Sequence, residues 1–289
     1  MTGARSSKWV VCAVLVVALS ACGGSRDTGR VDRNFFNPQE IPLETYSAEQ
    51  IFERGEYELN RKQPDEAAFY FSEIERLYPY SDWARRALIM QAFSYHQDQD
   101  YENSRSSAQR FIDFYPDDDD AAYAQYLLAL SYYDQIDEVG RDQGLTFQAL
   151  QSLRDVIEQY PDSEYAKSAI LKFDLAFDHL AGKEMEIGRY YLRRDHYTAA
   201  INRFRVVVEQ FQTTTHTAEA LHRLVESYLA LGLSAEAQTA GAILGHNYRS
   251  TDWYEDSYRL LKGEGLEPKF FKNNWLGAIY RQTIKGEWL

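Results

Sequence analysis

From Ser47 onward, apolar residues recur at i, i+3 and i+4, and glycine, proline or polar positions interrupt them every 12–17 residues. This spacing predicts a series of amphipathic α-helices, because 3.6 residues complete one turn and the apolar positions then share one face. The breaks come at nearly regular intervals, which indicates an internal repeat. The pattern therefore predicts an all-α domain built from repeated helix pairs.

A 34-residue tetratricopeptide frame fits the first unit. With Gly55 at position 8, Ala67 falls at position 20, Phe71 at position 24 and Pro79 at position 32. Small residues at positions 8 and 20 let the two helices of a unit approach closely, and the aromatic ring fills the gap between them. Proline ends the second helix because it has no N–H to donate.

Four further copies follow, with less regular spacing. Their defining positions hold small residues and prolines: Ala92 and Pro116 in the second copy, Ala149 and Pro161 in the third, Gly188 and Ala200 in the fourth. The third copy carries an insertion around residues 136–147, residues 163–182 predict an extra helix, and the fifth copy is degenerate. Together they predict a right-handed all-α solenoid of about five helix-turn-helix repeats plus extra helices, roughly ten to twelve helices over residues 47–249.

The first 22 residues follow a different pattern. Arg5 and Lys8 precede an apolar run, Trp9 to Leu19, that is too short to span a bilayer core of about 30 Å. Leu19-Ser20-Ala21-Cys22 comes next and resembles the bacterial lipobox. We therefore expect residues 1–21 to be a lipoprotein signal peptide and the cysteine to be acylated, for example with palmitate. An ordinary signal peptide with an incidental cysteine is the alternative.

Acylation of Cys22 would supply several alkyl chains, enough for stable anchoring. Gly23 follows the cysteine. By similarity to lipoprotein sorting in Gram-negative bacteria, this favours the outer membrane, with the protein facing the periplasm. Residues 22–46 contain three glycines and two prolines without helical periodicity, so they predict an acylated tether.

Composition and charge exclude several classes of function. The chain has 289 residues, with 31 Lys and Arg against 44 Asp and Glu, and this negative balance argues against nucleic acid as a partner. The two cysteines, Cys12 and Cys22, leave no disulfide framework or cysteine zinc cluster. No HExxH, GxSxG or GxxxxGK[ST] motif is present. The sequence therefore predicts no cofactor, metal or catalytic site, and a lipid-anchored enzyme is the hypothesis it supports least.

In this repeat type, certain positions of the first helix of each unit line a groove. In copies one to three they include aromatic side chains and a few polar ones: Phe52, Arg86, Phe93, His96, Tyr123, Tyr126 and Tyr133. Such a lining suits an extended peptide with aromatic side chains, and Arg86 is the candidate to bind a C-terminal carboxylate. Packing of each side chain against a neighbouring repeat is the alternative.

Several segments carry a more specific resemblance. They are ERLYPY at 75–80, AFSY at 92–95, RFIDFYP at 110–116, QYPDSEY at 159–165 and EIGRYY at 186–191. Their order and irregular spacing over residues 47–249 resemble the BamD family, lipoproteins of the β-barrel assembly machinery. The resemblance implies a non-enzymatic scaffold of the outer membrane that takes part in protein insertion into that membrane.

In that family, the N-terminal repeats are thought to receive the C-terminal signal of unfolded outer-membrane proteins, which ends in an aromatic residue. The C-terminal repeats hold a POTRA domain of the barrel-forming subunit, and accessory lipoproteins bind nearby. The segment AINR at 200–203 matches a family segment at that contact, so Arg203, beside Asn202, is the candidate partner residue. An exposed arginine paired with a local carboxylate is the alternative for Arg203. A tetratricopeptide envelope lipoprotein that coordinates peptidoglycan synthesis or cell division is the alternative function.

Residues 250–289 form a C-terminal extension rich in aromatic residues, and its last 33 residues carry six basic and three acidic side chains. We expect this extension to cap the last repeat. Binding a complex subunit or touching the membrane surface are its alternatives.

Overall fold

The computed structural model describes residues 42–136, 143–272, 274–278 and 281. Cys22, the predicted signal peptide and the predicted tether up to residue 41 lie outside the described residues. The chain from Leu43 onward forms one compact unit. Every regular element in the described ranges is helical, and the helices pack as consecutive pairs, which confirms the predicted all-α repeat fold.

One short 3-10 helix, Leu43–Thr45, is followed in the described ranges by eleven α-helices. They are α1 (Ala48–Asn60), α2 (Pro64–Leu77), α3 (Asp82–Gln97), α4 (Tyr101–Phe114), α5 (Ala121–Tyr133), α6 (Gly144–Gln159), α7 (Glu164–Leu192), α8 (Tyr197–Gln210), α9 (Thr217–Ala230), α10 (Ser234–Asn247) and α11 (Asp252–Gly263). Among these, we find no helix with the length and apolar composition needed to cross a membrane.

Local chemistry sets the helix ends. The side-chain oxygens of Ser47, Ser81 and Ser163 each accept a hydrogen bond from a backbone N–H of the first turn, which would otherwise lack an acceptor. The prolines predicted to end second helices lie two residues beyond α2, α4 and α6: Pro79, Pro116 and Pro161. Because proline disfavours the α conformation of the preceding residue, each of these helices ends where its sequence requires.

Small residues bring the paired helices together. A Cβ added to Gly55 would lie 2.6 Å from a ring carbon of Phe71, so only glycine leaves room for this ring between α1 and α2. Gly188 and Phe204 make the same contact between α7 and α8. The small residues of the repeat frame are fully buried: Ala67, Ala92, Ala149 and Ala200.

The odd-numbered helices form one surface of the solenoid. Each helix packs on the next along the chain, and in addition α1, α3, α5 and α7 contact one another in order, while α9 contacts α11. We call the surface made by these six helices the odd-helix face. It corresponds to the face that the repeat frame predicts to line a groove.

The prediction of a separate helix over residues 163–182 is wrong, because α7 continues without a break for 29 residues to Leu192. Gly182 lies inside it, but a single glycine weakens a helix by only about 1 kcal/mol and does not end it. Buried Leu180, Ala181 and Met185 carry the apolar stripe past this point. One long helix therefore packs against both α6 and α8.

The described part of the C-terminal extension packs on the last helices. After α11, which contacts α9 and α10, the chain runs back to a helical turn at 275–278. Leu276 is completely buried, and the indole N–H of Trp275 donates to the Tyr228 hydroxyl at 2.8 Å. The hydroxyl oxygen of Thr239 accepts from the backbone N–H of Phe271 and from the side-chain amide of Asn274. These contacts fasten the segment to α9 and α10.

Candidate functional site

The predicted groove residues lie on three neighbouring odd-numbered helices. Phe52 belongs to α1, Arg86, Phe93 and His96 to α3, and Tyr123, Tyr126 and Tyr133 to α5. Because α1, α3 and α5 contact one another in that order, residues from three separate repeats come together on one surface. An extended peptide bound along this surface can therefore contact several repeats at once.

Arg86 lies on two aromatic rings at the N-terminal end of this surface. Its guanidinium carbon is 5.0 Å from the ring centroid of Phe52 and 4.8 Å from that of Trp83. The arginine is exposed, and it forms no ion pair with a carboxylate of the described residues. Cation–π contacts hold the planar group in place while its N–H donors stay available, an arrangement suited to a two-pronged bond with a carboxylate.

Phe52 itself does not line the surface. Its side chain is only 2% exposed and packs against Phe71 and Trp83, with ring centroids 5.1 and 5.0 Å away. The sequence prediction placed it in the groove because it occupies a groove position of the repeat frame. In the structure Trp83, which begins the next odd helix, covers it. Phe52 therefore supports Arg86 from below, and Trp83 is the ring that the sequence analysis missed.

A tyrosine cluster lies where α5 meets α7. The rings of Tyr123 and Tyr126 are 5.1 and 5.6 Å from that of Tyr165, between centroids. Burial, followed by the neighbouring Tyr165 and Asp120, raises the pKa of Tyr123 to about 12, and burial also raises the pKa of Tyr126. The hydroxyls stay protonated at neutral pH, so the cluster offers ring faces and neutral hydrogen-bonding groups. Tyr165 is the second residue of α7, and the repeat frame did not predict it as a groove residue.

The last part of the surface is more polar. The Lys172 ammonium of α7 lies 4.6 Å from the ring centroid of Tyr133. His96 Nε2 is 3.1 Å from Asp134 Oδ2, but the two atoms are not aligned for a hydrogen bond. Burial lowers the pKa of His96, and the Asp134 carboxylate offsets this only in part. Phe93 is half-buried and packs on the core between α3, α4 and α5.

The predicted partner residues lie on another helix, α8, which does not belong to the odd-helix face. Asn202 is exposed. Arg203 is partly exposed, and its Nη1 lies 3.1 Å from Glu184 Oε2 on α7. Glu184 is therefore the local carboxylate expected under the alternative for Arg203, and the ion pair leaves part of the guanidinium accessible.

One arrangement has the residue types of a hydrolase. Ser257 Oγ is 2.8 Å from His222 Nδ1, and His222 Nε2 is 3.5 Å from Glu226 Oε1. Ser257, however, is completely buried, so its hydroxyl has no access to a substrate. The three residues connect α9 to α11. Within the described ranges, moreover, no group of three or more His, Cys, Asp or Glu side chains is placed to hold a metal ion.

Comparisons with known proteins point to one family. A family model, YfiO, described as "Outer membrane lipoprotein", matches residues 44–243. The outer membrane protein assembly factor BamD of Caulobacter vibrioides is 45% identical over 259 residues, which is 90% of this chain and 82% of that protein. The BamD protein of Rickettsia prowazekii is 41% identical over 249 residues, 86% of this chain and 94% of its own length.

More distant similarities are also found. The BamD protein of Neisseria meningitidis is 28% identical over 244 residues, 81% of this chain and 88% of that protein. Among solved structures, the TPR domain of P58(IPK) aligns at 19% identity and a TM-score of 0.29, covering 76% of this chain and 57% of that chain.

Proposed function

The chain belongs to the BamD family of outer membrane protein assembly factors, and from this premise we propose that it is a lipid-anchored scaffold for inserting β-barrel proteins into the outer membrane. The solenoid carries two sites, one on α3 and α5 and the other on α8. One site receives an unfolded client, and the other holds the barrel-forming subunit. The scaffold itself has no catalytic role.

The anchor is the acylated Cys22, and the solenoid faces the periplasm. The lipobox and the description of the matching family as an outer membrane lipoprotein support this part of the proposal.

The client site is the N-terminal part of the odd-helix face. Arg86 on the rings of Phe52 and Trp83 is the observation that carries this assignment, because an accessible cation without a carboxylate partner in the described residues is suited to a C-terminal carboxylate. The rings of Tyr123, Tyr126 and Tyr165 would receive aromatic side chains farther along the same peptide.

The partner site is the exposed part of α8 with Asn202 and Arg203, and its ligand is a POTRA domain of the barrel-forming subunit. Accessory lipoproteins of the complex would bind nearby. The family membership and the accessible guanidinium of Arg203 support this assignment. They favour barrel assembly over the alternative of coordinating peptidoglycan synthesis.

A peptide-binding cycle tests the client site. Two peptides with the same aromatic-ended sequence, one with a free C-terminal carboxylate and one with an amide, are titrated against the wild type and Arg86→Gln. We expect the wild type to bind the carboxylate form about tenfold more tightly, because a hydrogen bond to a charged group contributes about 1.5–3 kcal/mol and exposure reduces it. Arg86→Gln should bind both peptides with similar affinity.

Arg154→Gln is the matched control. Arg154 is also exposed, also lies over an aromatic ring, Phe173 at 5.7 Å, and belongs to α6 rather than to the odd-helix face. This variant should keep the wild-type preference for the carboxylate. If Arg86→Gln retains the preference as well, Arg86 is not the carboxylate site.

A further inference from the structure

Two clefts open on the odd-helix face on either side of α9, beyond the proposed client site. The first, about 500 Å³, lies between α7 and the start of α9. The second, about 440 Å³, lies between the end of α7, α9 and α11. Neither cleft contains any of the residues assigned above to the client or the partner.

Carboxylates outnumber cations in this region. Six acidic side chains line the clefts or join them: Asp178, Glu186, Asp195, Glu219, Glu226 and Glu264. We call this surface the acidic trough. Its lining contains two guanidinium groups, those of Arg189 and Arg223.

Both arginines are already neutralised inside the molecule. Glu219 accepts from Arg189 at 2.8 Å and from Arg223 at 3.3 Å, and Arg223 also donates to Glu226 at 2.7 Å. Glu219 thus links a residue of the first cleft, Arg189, to a residue of the second, Arg223. Burial raises the pKa of Glu219, but the hydrogen bonds and charges of the two arginines outweigh it and lower the pKa overall, so the carboxylate is ionised at neutral pH.

Two of the remaining acidic side chains are available to a ligand. Glu186 and Glu264 are exposed, and neither forms an ion pair within the described residues. Asp178 is already engaged inside the molecule, because it accepts from the Thr215 hydroxyl and backbone N–H at 2.8 and 2.9 Å and lies 3.4 Å from His216 Nε2.

Apolar side chains lie beside these charges. Leu175 of the first cleft is 62% exposed and Leu260 of the second is 40% exposed. A lysine or arginine side chain combines an aliphatic stem with a charged end, and it can cover an exposed leucine while its charge reaches a carboxylate. The chemistry of the surface is therefore complementary to that side chain.

We propose that the acidic trough binds a partner segment in which lysine or arginine residues are spaced by small or apolar residues. The charge excess across both clefts favours such a segment and repels an acidic one. This site goes beyond the proposed function and does not depend on Arg86. It would let the scaffold hold a basic segment at one end of the odd-helix face while the other end holds a carboxylate.

Fluorescence anisotropy with defined peptides tests the proposal. The probes are labelled ten-residue peptides of alternating Lys and Ala, or of alternating Glu and Ala, added to the lipidated protein in non-ionic detergent. We expect the lysine peptide to bind with an affinity that falls as salt rises, and the glutamate peptide not to bind. The double variant Glu186→Gln, Glu264→Gln should weaken lysine-peptide binding about three- to tenfold.

The control variant is Glu102→Gln with Glu158→Gln, which removes the same charge at exposed positions outside the trough. It should bind the lysine peptide like the wild type. Equal losses in both double variants would show a general charge effect and overturn the proposal, as would an unchanged affinity in the trough variant.

Photo-crosslinking locates the bound peptide. A benzophenone side chain replaces Leu175 in one variant and Phe114 in another, since these residues are similarly exposed, at 62% and 65%, and only the first lies in the trough. Capture of the lysine peptide at Leu175 alone is the expected result. Capture at Phe114 to the same extent would contradict the proposed site.

Discussion

Gly55→Ala tests whether close approach of paired helices stabilises the solenoid. The added methyl would lie 2.6, 2.7 and 3.0 Å from three ring carbons of Phe71. That ring cannot swing into solvent, because Phe71 is completely buried and Phe52 lies 5.1 Å away on one side. The structure must therefore open the contact between α1 and α2 or distort the ring.

The net effect combines two opposing contributions. Overpacking a well-packed core costs about 1–3 kcal/mol, and the enclosed ring places this site in the upper half of that range. Alanine favours the helix over glycine by about 1 kcal/mol, which offsets part of the cost. We therefore expect Gly55→Ala to lower the free energy of unfolding by about 1–2 kcal/mol.

Urea denaturation followed by circular dichroism measures the global effect. Because repeat proteins can lose a terminal unit on its own, hydrogen exchange over residues 48–60 measures the local one. Gly263→Ala is the matched control, since nothing lies within 4 Å of a Cβ at that position and the helix preference alone should make it neutral or stabilising. Phe71→Leu in the Gly55→Ala background should cost less than the sum of the single changes, because the smaller side chain makes room for the methyl.

A neutral or stabilising Gly55→Ala would refute the reasoning. It would mean that α1 and α2 can separate by a few tenths of an ångström at no cost, and that the repeat frame does not depend on glycine at this position.

Two further predictions concern charged residues. Arg203→Glu should reduce co-purification of the barrel-forming subunit without loss of helicity. The charge swap Arg203→Glu with Glu184→Arg restores the internal ion pair. Recovered binding in the swapped variant would show that Arg203 acts only through Glu184. Arg189 and Arg223 keep the folded-state pKa of Glu219 below its ordinary 4.5, so the stability from Glu219 is present above about pH 4.5 and is lost as the pH falls through its folded-state pKa. Between pH 6 and pH 3 the wild type should therefore lose more stability in urea denaturation than Glu219→Gln does, and parallel pH profiles would contradict this.

The helices and their ends could be predicted from the sequence because they depend on near neighbours. Serine caps, the prolines after α2, α4 and α6, and the small residues of the repeat frame act within one helix pair. The wrong prediction of a helix end at residue 182 of α7 arose because only near neighbours were considered. Gly182 is a weak local break, and whether a helix continues through it depends on the packing of residues such as Leu180 and Met185 against other helices.

The candidate site was predicted only in part. Arg86 could be found because a cation at a groove position is unusual enough to notice. The burial of Phe52 could not be predicted, because Trp83 of the next repeat covers it. The pattern of apolar and polar residues within α1 is the same whether its outer face is covered or open. The acidic trough had no sequence signal, because its carboxylates are spread from Asp178 to Glu264 among many others.

The lipobox, the helical repeat and the family could be recognised from the sequence alone, because each depends on residue types at fixed short spacings. Packing between helices determines which rings support Arg86, that α7 is one helix, how the C-terminal segment packs on Tyr228 and Thr239, and which carboxylates are left without a cation. The contacts that Phe52 makes with Arg86 and Trp83, and those of the C-terminal segment with Tyr228 and Thr239, join residues 31 to 47 positions apart in the chain. Periodicity tells which face of a helix is apolar, but what covers that face depends on how successive helix pairs stack.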